Sequence, residues 1–157
     1  MDFNLRKAQK KDSVAILKLI EELAVFEKEP DAVELTKEDI ERDGFGENPL
    51  FTCFVAEVNK QVQGMALCYF RYSTWKGKTV HLEDLIIRES YRNKGLGKAL
   101  YKRVMEFALE NKVKRVEWVV LDWNINAVNF YKNSGATVFE EWNTVQFSDD
   151  AIRQFLQ

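Results

Sequence analysis

With 157 residues, 46% of them hydrophobic and 31% charged, the chain has the length and composition of one globular domain, which excludes a disordered or membrane-embedded protein. Twenty-three basic against 25 acidic residues leave a formal charge of −2, so no basic groove for nucleic acid is expected and a polycation would not be repelled. Cys53 and Cys68 lie in apolar runs as small buried hydrophobes, and a single histidine, His81, cannot assemble a His/Cys metal cluster, so neither disulfide nor metal is expected.

The pattern reads as one domain over residues 1–157, in the following order. A short strand at Phe3 to Lys7 leads to a helix near Asp12 to Glu27, where Val14, Leu17, Ile20 and Leu23 recur at helical spacing. Thr36 caps a second helix that runs to about Asp43 with Glu38 and Asp39 in its first turn. Strands at Phe51 to Val58 and Val62 to Tyr72 flank a hairpin turn at Asn59-Lys60-Gln61, and Thr79 to Arg88 is the next strand. A long helix covers Leu96 to Asn111. Strand, helix and strand follow from Lys114 to about Phe139, Thr144 to Phe147 closes the sheet, and Ser148 caps a last helix. Met1 to Arg6 lacks the apolar core of a signal peptide and no run reaches bilayer length, so the expected compartment is the cytoplasm, with no membrane partner.

Between the strand ending at Ile87 and the helix from Leu96 stands Tyr91-Arg92-Asn93-Lys94-Gly95-Leu96-Gly97-Lys98. Unpaired N–H groups and the positive end of the macrodipole make a first helical turn a receptor for phosphate, and Gly95 and Gly97 allow close approach to the backbone. The form Arg-x-x-Gly-x-Gly is neither a Walker A loop nor a three-glycine dinucleotide fingerprint. A second segment, Asp122 to Ala136, follows the apolar strand Val116 to Leu121 and reads as a short helix, with Asn124 as its N-cap, Gly135 as its C-cap, and Val128 and Tyr131 sharing one face.

Together these segments resemble the GNAT superfamily of N-acetyltransferases. Glu22-Leu23-Ala24 with Phe26-Glu27, Asp43-Gly44-Phe45-Gly46, Trp75-x-Gly77-Lys78 and Leu82-Glu83-Asp84 are similar to the spermidine/spermine (diamine) N-acetyltransferases and their thialysine-acetylating relatives. The resemblance runs from about Leu5 to Phe147 and implies an α/β GNAT-like acyl-CoA N-acyltransferase fold: a mixed sheet of six to seven strands flanked by four to five helices. It also implies acetyl-CoA as co-substrate and a homodimer, for which Trp142 and Phe155 are candidate interface or core residues.

On that likeness the diphosphate of acetyl-CoA lies on the backbone of Arg92, Asn93, Lys94, Gly95, Leu96 and Gly97, with Lys98 beside it. The pantetheine arm pairs with Leu85, Ile86 and Ile87, and Asn124 caps its helix and helps hold that arm. Tyr131, also at the cofactor, is the general acid for the departing thiolate; a phenol and a thiol have comparable reference pKa values, about 10 and 8.5. An alkyl amine has a pKa near 10.4, so unmasking it at pH 7 costs roughly 4 to 5 kcal/mol. Glu83 is assigned as base by the resemblance, and binding the ammonium with water-relayed proton transfer ranks beside that role. Glu83 and Asp84 line one site only if the strand is bulged there. His81 is read as structural or exposed.

Glu27, Glu83 and Asp84 supply negative charge, and Phe26, Trp75 and Tyr72 aromatic walls, for a small cationic amine. Ser73-Thr74 stand where polyamine enzymes carry Asp-Pro, which removes one acidic contact for a distal amine and admits shorter amines such as thialysine, lysine-like compounds or diamines. Two other readings stay open: an acetyltransferase for protein lysines or N-termini, and a catalytically silent acetyl-CoA-binding module.

Overall fold

The structure, a computed structural model, describes residues 2–157 and divides into two compact units, Met1–Val119 and Val120–Gln157. In the first unit, strands β1 (Asn4–Lys7), β2 (Thr52–Val58), β3 (Gln61–Ser73) and β4 (Gly77–Ile87) pair antiparallel in chain order, and β5 (Val116–Glu117) joins β4 in parallel. The sheet is mixed and has five strands among the described residues, not six to seven. Asn59 and Lys60, both in left-handed conformation at φ 50° and 62°, make the two-residue turn between β2 and β3.

Helices cover both faces of this sheet. Helix α1 (Ser13–Phe26) buries Ile16 and Leu19 against Val55, Met65 and Ile86, and Ile40 of α2 (Lys37–Phe45) joins the same cluster. Helix α3 (Leu96–Glu110) buries Leu96, Leu100 and Val104, spaced four apart, against Phe54, Ala66, Val80 and Leu82 on the other face. Each of these covered Val, Leu, Ile, Met and Phe side chains contributes about 1.5 to 3 kcal/mol. Thr36 caps α2 with a reciprocal Thr36–Asp39 capping box, as its sequence predicts.

A bulge in β4 positions the site. Val80 and Leu82 face α3, but beyond them Leu85 and Ile87 do so, while Ile86 faces α1. One extra residue has changed the alternation from even to odd. The register shows it: Cys68 pairs with Leu82 and Leu67 with Asp84, leaving Glu83 without an opposite number.

The second unit contains α4 (Ile125–Asn133) and α5 (Asp149–Phe155), capped by Asn124 and Ser148 through side-chain oxygens that accept from Ala127 N and Ala151 N. Gly135, at φ 94°, closes the end of α4 as expected. Among the described residues no strand follows Glu117. The expected strand Val116 to Leu121 is two residues long, and Thr137 to Phe139 and Thr144 to Phe147 are not strands. Val119, Phe139, Val145 and Phe147 are all exposed, and an apolar run without a paired edge and a covered face does not hold strand geometry. Trp142 and Phe155 are also exposed, so neither is a core residue in its unit.

Candidate active site

The turn before α3 fits a diphosphate. Its N-cap, Gly95, is left-handed at φ 90° and gives the helix no side-chain cap. Ala99 N is the first amide to bond back, to Gly95 O at 3.0 Å, and among the described residues the amides from Asn93 to Lys98 have no protein acceptor. Gly97 is not demanded by packing: a Cβ there would meet only Ile87 Cγ1, at 3.6 Å. A glycine that the fold could replace, at the first turn of a helix where alanine is the better residue, leaves the backbone open to an anion. Arg92 is committed within the protein: its amide bonds to Glu89 O, its Nε donates to Ile87 O at 3.1 Å, and its guanidinium lies 5.2 Å from the Phe26 ring. Lys94 Nζ donates to Ser90 O at 2.7 Å, and Lys98 is exposed beside the turn.

Strand β4 is paired with β5 only at Val80 and His81. From Leu82 onward, Leu85, Ile86 and Ile87 included, its β5-side edge has no strand neighbour among the described residues, while the other edge is bonded to β3. Such an edge suits an extended ligand with amide groups.

Beneath α1, and on the face to which the bulge turns both acidic residues, lies a cavity of about 340 Å³ lined by Glu27, Glu83 and Asp84 together with apolar side chains such as Ile20, Leu23, Leu35 and Phe51. Among the described residues no Lys, Arg or His lines it. Burial, then the charges of Glu83 and Glu27, push the Asp84 carboxyl up to about 6. Glu27 is raised as well, by burial and then by Glu83. Glu83 is the opposite case, held below its ordinary value chiefly by a hydrogen bond from His81, with another from the Tyr69 hydroxyl at 2.7 Å. The cavity therefore pairs an ionised carboxylate with two that gain affinity for positive charge.

Glu27, Glu83 and Asp84 are thus brought together as their types suggest. Phe26, the last residue of α1, lies at the Arg92 side chain and not in the cavity lining. Trp75 does not join them. It is 80% exposed in the turn between β3 and β4, and the six steps from Gly77 to Glu83 span about 20 Å of strand. Tyr131, in the second unit, is buried on α4 with its ring 5.5 Å from Phe130, and Asn124 caps that helix. His81 is not exposed: it is buried beside Glu83 and bonded to Arg71. Tyr69 and Arg71 belong to no motif and were not among the residues that sequence singles out. Counting back from the turn at Ser73 and Gly77 would have found Tyr69, since the register sets it opposite His81.

Residues 15–136 match the Acetyltransferase (GNAT) family. The chain belongs to this family. A thialysine N-epsilon-acetyltransferase of Sus scrofa is 40% identical to this acetyltransferase over 161 residues, covering 96% of this chain and 95% of that one. The spermidine/spermine N(1)-acetyltransferase-like protein 1 of Homo sapiens is 38% identical across 96% of this chain and 23% of its own length. Among solved structures, an integron cassette protein from the mobile metagenome of V. cholerae superposes with a TM-score of 0.81 at 21% identity, covering 100% of this chain and 99% of that one, a likeness of fold.

Proposed function

We propose that the protein is an acetyl-CoA-dependent N-acetyltransferase whose acceptor is a primary amine of a small cation without a carboxylate, a short diamine being the simplest case. The carrying observation is the cavity in which a single bulge residue gathers Glu83 and Asp84 with Glu27, with no cationic side chain in its described lining. An alkyl ammonium is attracted there by three carboxylates and its methylenes by hydrocarbon. Inside the cavity the α-carboxylate of thialysine or lysine would face like charge and apolar surface among the described lining residues, which disfavours it relative to a diamine.

When bound, acetyl-CoA supplies the activated acyl group. The open amides from Asn93 to Lys98 hold its diphosphate, and the free edge at Leu85 to Ile87 holds the amide-bearing arm. Direct proton transfer from an amine to an ordinary glutamate is uphill by roughly 8 kcal/mol, so Glu83 serves first to bind the ammonium and passes its proton on through water as attack proceeds. Tyr131 is assigned the proton donor to the departing thiolate, on its residue type and its place in the Asn124 to Ala136 segment. A cytoplasmic homodimer, with no metal and neither nucleic acid nor membrane as partner, is the setting that the family resemblance and the charge of −2 support.

The names of the relatives favour a second reading, a thialysine-like amino acid as acceptor. One assay decides between them: acetyl-CoA turnover side by side on a short diamine, spermidine, thialysine, lysine and a lysine-containing peptide. The diamine is expected to give the highest kcat/KM, at least about tenfold over lysine. Thialysine outrunning the diamine overturns the carboxylate-free acceptor, and turnover on the peptide alone overturns the small-molecule reading.

A further inference from the structure

If Glu83 is the carboxylate that meets the acceptor amine, as proposed above, the row of polar side chains behind it acquires a role. The register of β3 with β4, and of β4 with β5, lines up Tyr69 and Arg71, then His81 and Glu83, then Glu117. Glu117 Oε1 binds Arg71 Nη1 at 3.1 Å, and its Oε2 binds Arg115 Nε at 3.0 Å. Arg71 Nη1 in turn lies 3.0 Å from His81 Nδ1. A guanidinium only donates, which assigns the bare lone pair to Nδ1 and the ring proton to Nε2. His81 Nε2 faces Glu83 Oε2 at 3.4 Å, and Tyr69 Oη donates to the same oxygen at 2.7 Å. Two donors converge on Oε2, while Oε1 has no protein partner among the described residues.

We infer that His81 and Tyr69 are positioning residues that clamp Oε2 of Glu83, that Arg71 fixes His81 in the Nε2–H form needed for it, and that Oε1 is the oxygen offered to the amine. His81 is thereby excluded as a proton acceptor, because Nε2 already carries a proton and Nδ1 is taken. His81 is buried and its ring packs 5.2 Å from that of Tyr69, so the clamp is held by packing as well as by hydrogen bonds. The charged and titratable groups around Glu83 are Glu27 from α1, Tyr69 and Arg71 from β3, His81 and Asp84 from β4, and Glu117 from β5 behind Arg71. Glu27 and Asp84 oppose its ionisation; His81, Tyr69 and Arg71 sustain it.

The test compares His81→Phe, which fills the volume without a donor, with His81→Gln, whose amide N–H reaches about where Nε2 lies. Two readouts are taken on the full chain: the pH profile of kcat/KM for the amine, and titration of the Glu83 carboxyl by carbon NMR without substrates, which needs no turnover. His81→Phe is expected to move both the Glu83 titration and the acid limb upward by about one pH unit and to lower kcat about tenfold, with KM for acetyl-CoA unchanged. His81→Gln restores all three. Arg71→Met, at a half-exposed side chain, is expected to shift the ring nitrogen signals of His81 away from the pure Nε2–H form. An unmoved Glu83 titration in His81→Phe overturns the clamp, as does a His81→Gln variant as slow as His81→Phe, the mark of a proton carrier. Should His81→Phe not fold, Tyr69→Phe replaces it with the same expected shift and the same refuting result. A wild-type chain inactive on every amine, with the titration still shifted in the variant, overturns the acetyltransferase reading while supporting the clamp.

Discussion

Asp84→Asn measures what it costs to gather three carboxylates in an apolar cavity. The Asp84 carboxyl is pushed up to about 6 from 3.8, first by burial and then by the charges of Glu83 and Glu27. Between those values the folded chain holds a proton that the unfolded chain has lost, so stability falls as pH rises. The contribution is intact below about 3.8 and gone above about 6. At about 1.4 kcal/mol per pH unit, a displacement of roughly two units amounts to about 3 kcal/mol. Glu27 is raised in the same cavity and titrates with Asp84, so the share that one substitution releases is about 2 kcal/mol. Asparagine keeps the shape and removes the charge. Urea unfolding at pH 7.5 is expected to find Asp84→Asn more stable than wild type by about 2 kcal/mol, and at pH 4 to find the two within about 0.5 kcal/mol. On the proposed function the same variant is expected to lose acceptor affinity, because the charge that costs stability is the charge assigned to attract the ammonium. A variant less stable at pH 7.5, or a difference that does not change with pH, refutes the account.

Gly97→Ala adds a methyl that meets only Ile87 Cγ1 at 3.6 Å. It is expected to leave stability unchanged or raise it by up to about 0.5 kcal/mol, while titration calorimetry finds affinity for coenzyme A lowered about tenfold because the methyl crowds the open amides. Arg6 ties β1 to the buried Asp12 at 2.7 Å and to Glu57 at 2.7 Å, so Arg6→Met leaves two carboxylates unpaired and is expected to cost about 2 to 3 kcal/mol in urea unfolding at pH 7. Arg6 holds the Asp12 carboxyl below its ordinary value; that stability is present above the unfolded pKa and lost as pH falls through the folded one, so the gap to wild type closes toward acid. Tyr131→Phe is expected to lower kcat about a hundredfold with affinity for coenzyme A retained, and an unchanged kcat removes Tyr131 as the acid.

How far the sequence can be read depends on whether a feature is decided by near neighbours or by distant ones. Helices α1 and α3 are legible because apolar residues recurring at helical spacing settle them, although in α1 the buried residues are Ile16 and Leu19 and not Val14, which is exposed; the turn before α3 is legible as a turn because glycine spacing at a strand–helix junction is local. Even the bulge is written locally, in Val80-His81-Leu82-Glu83-Asp84-Leu85-Ile86-Ile87, where two polar residues in a row interrupt the alternation of a strand with both faces covered. The strands expected after Glu117 fail for the opposite reason: an apolar run becomes a strand only where an edge pairs with it, and Thr137 to Phe139 and Thr144 to Phe147 carry no sign of such an edge. His81 shows the same limit at the site. Whether it is inert or the support of Glu83 depends on Arg71 and Tyr69, ten and twelve residues away, and becomes visible only when register places them across the strand. The charge of the cavity at Glu27, Glu83 and Asp84 follows the same logic, for the want of a cation among its described lining residues is a property of several elements together. On that property, and not on a motif, rests the proposed preference for a diamine over an amino acid.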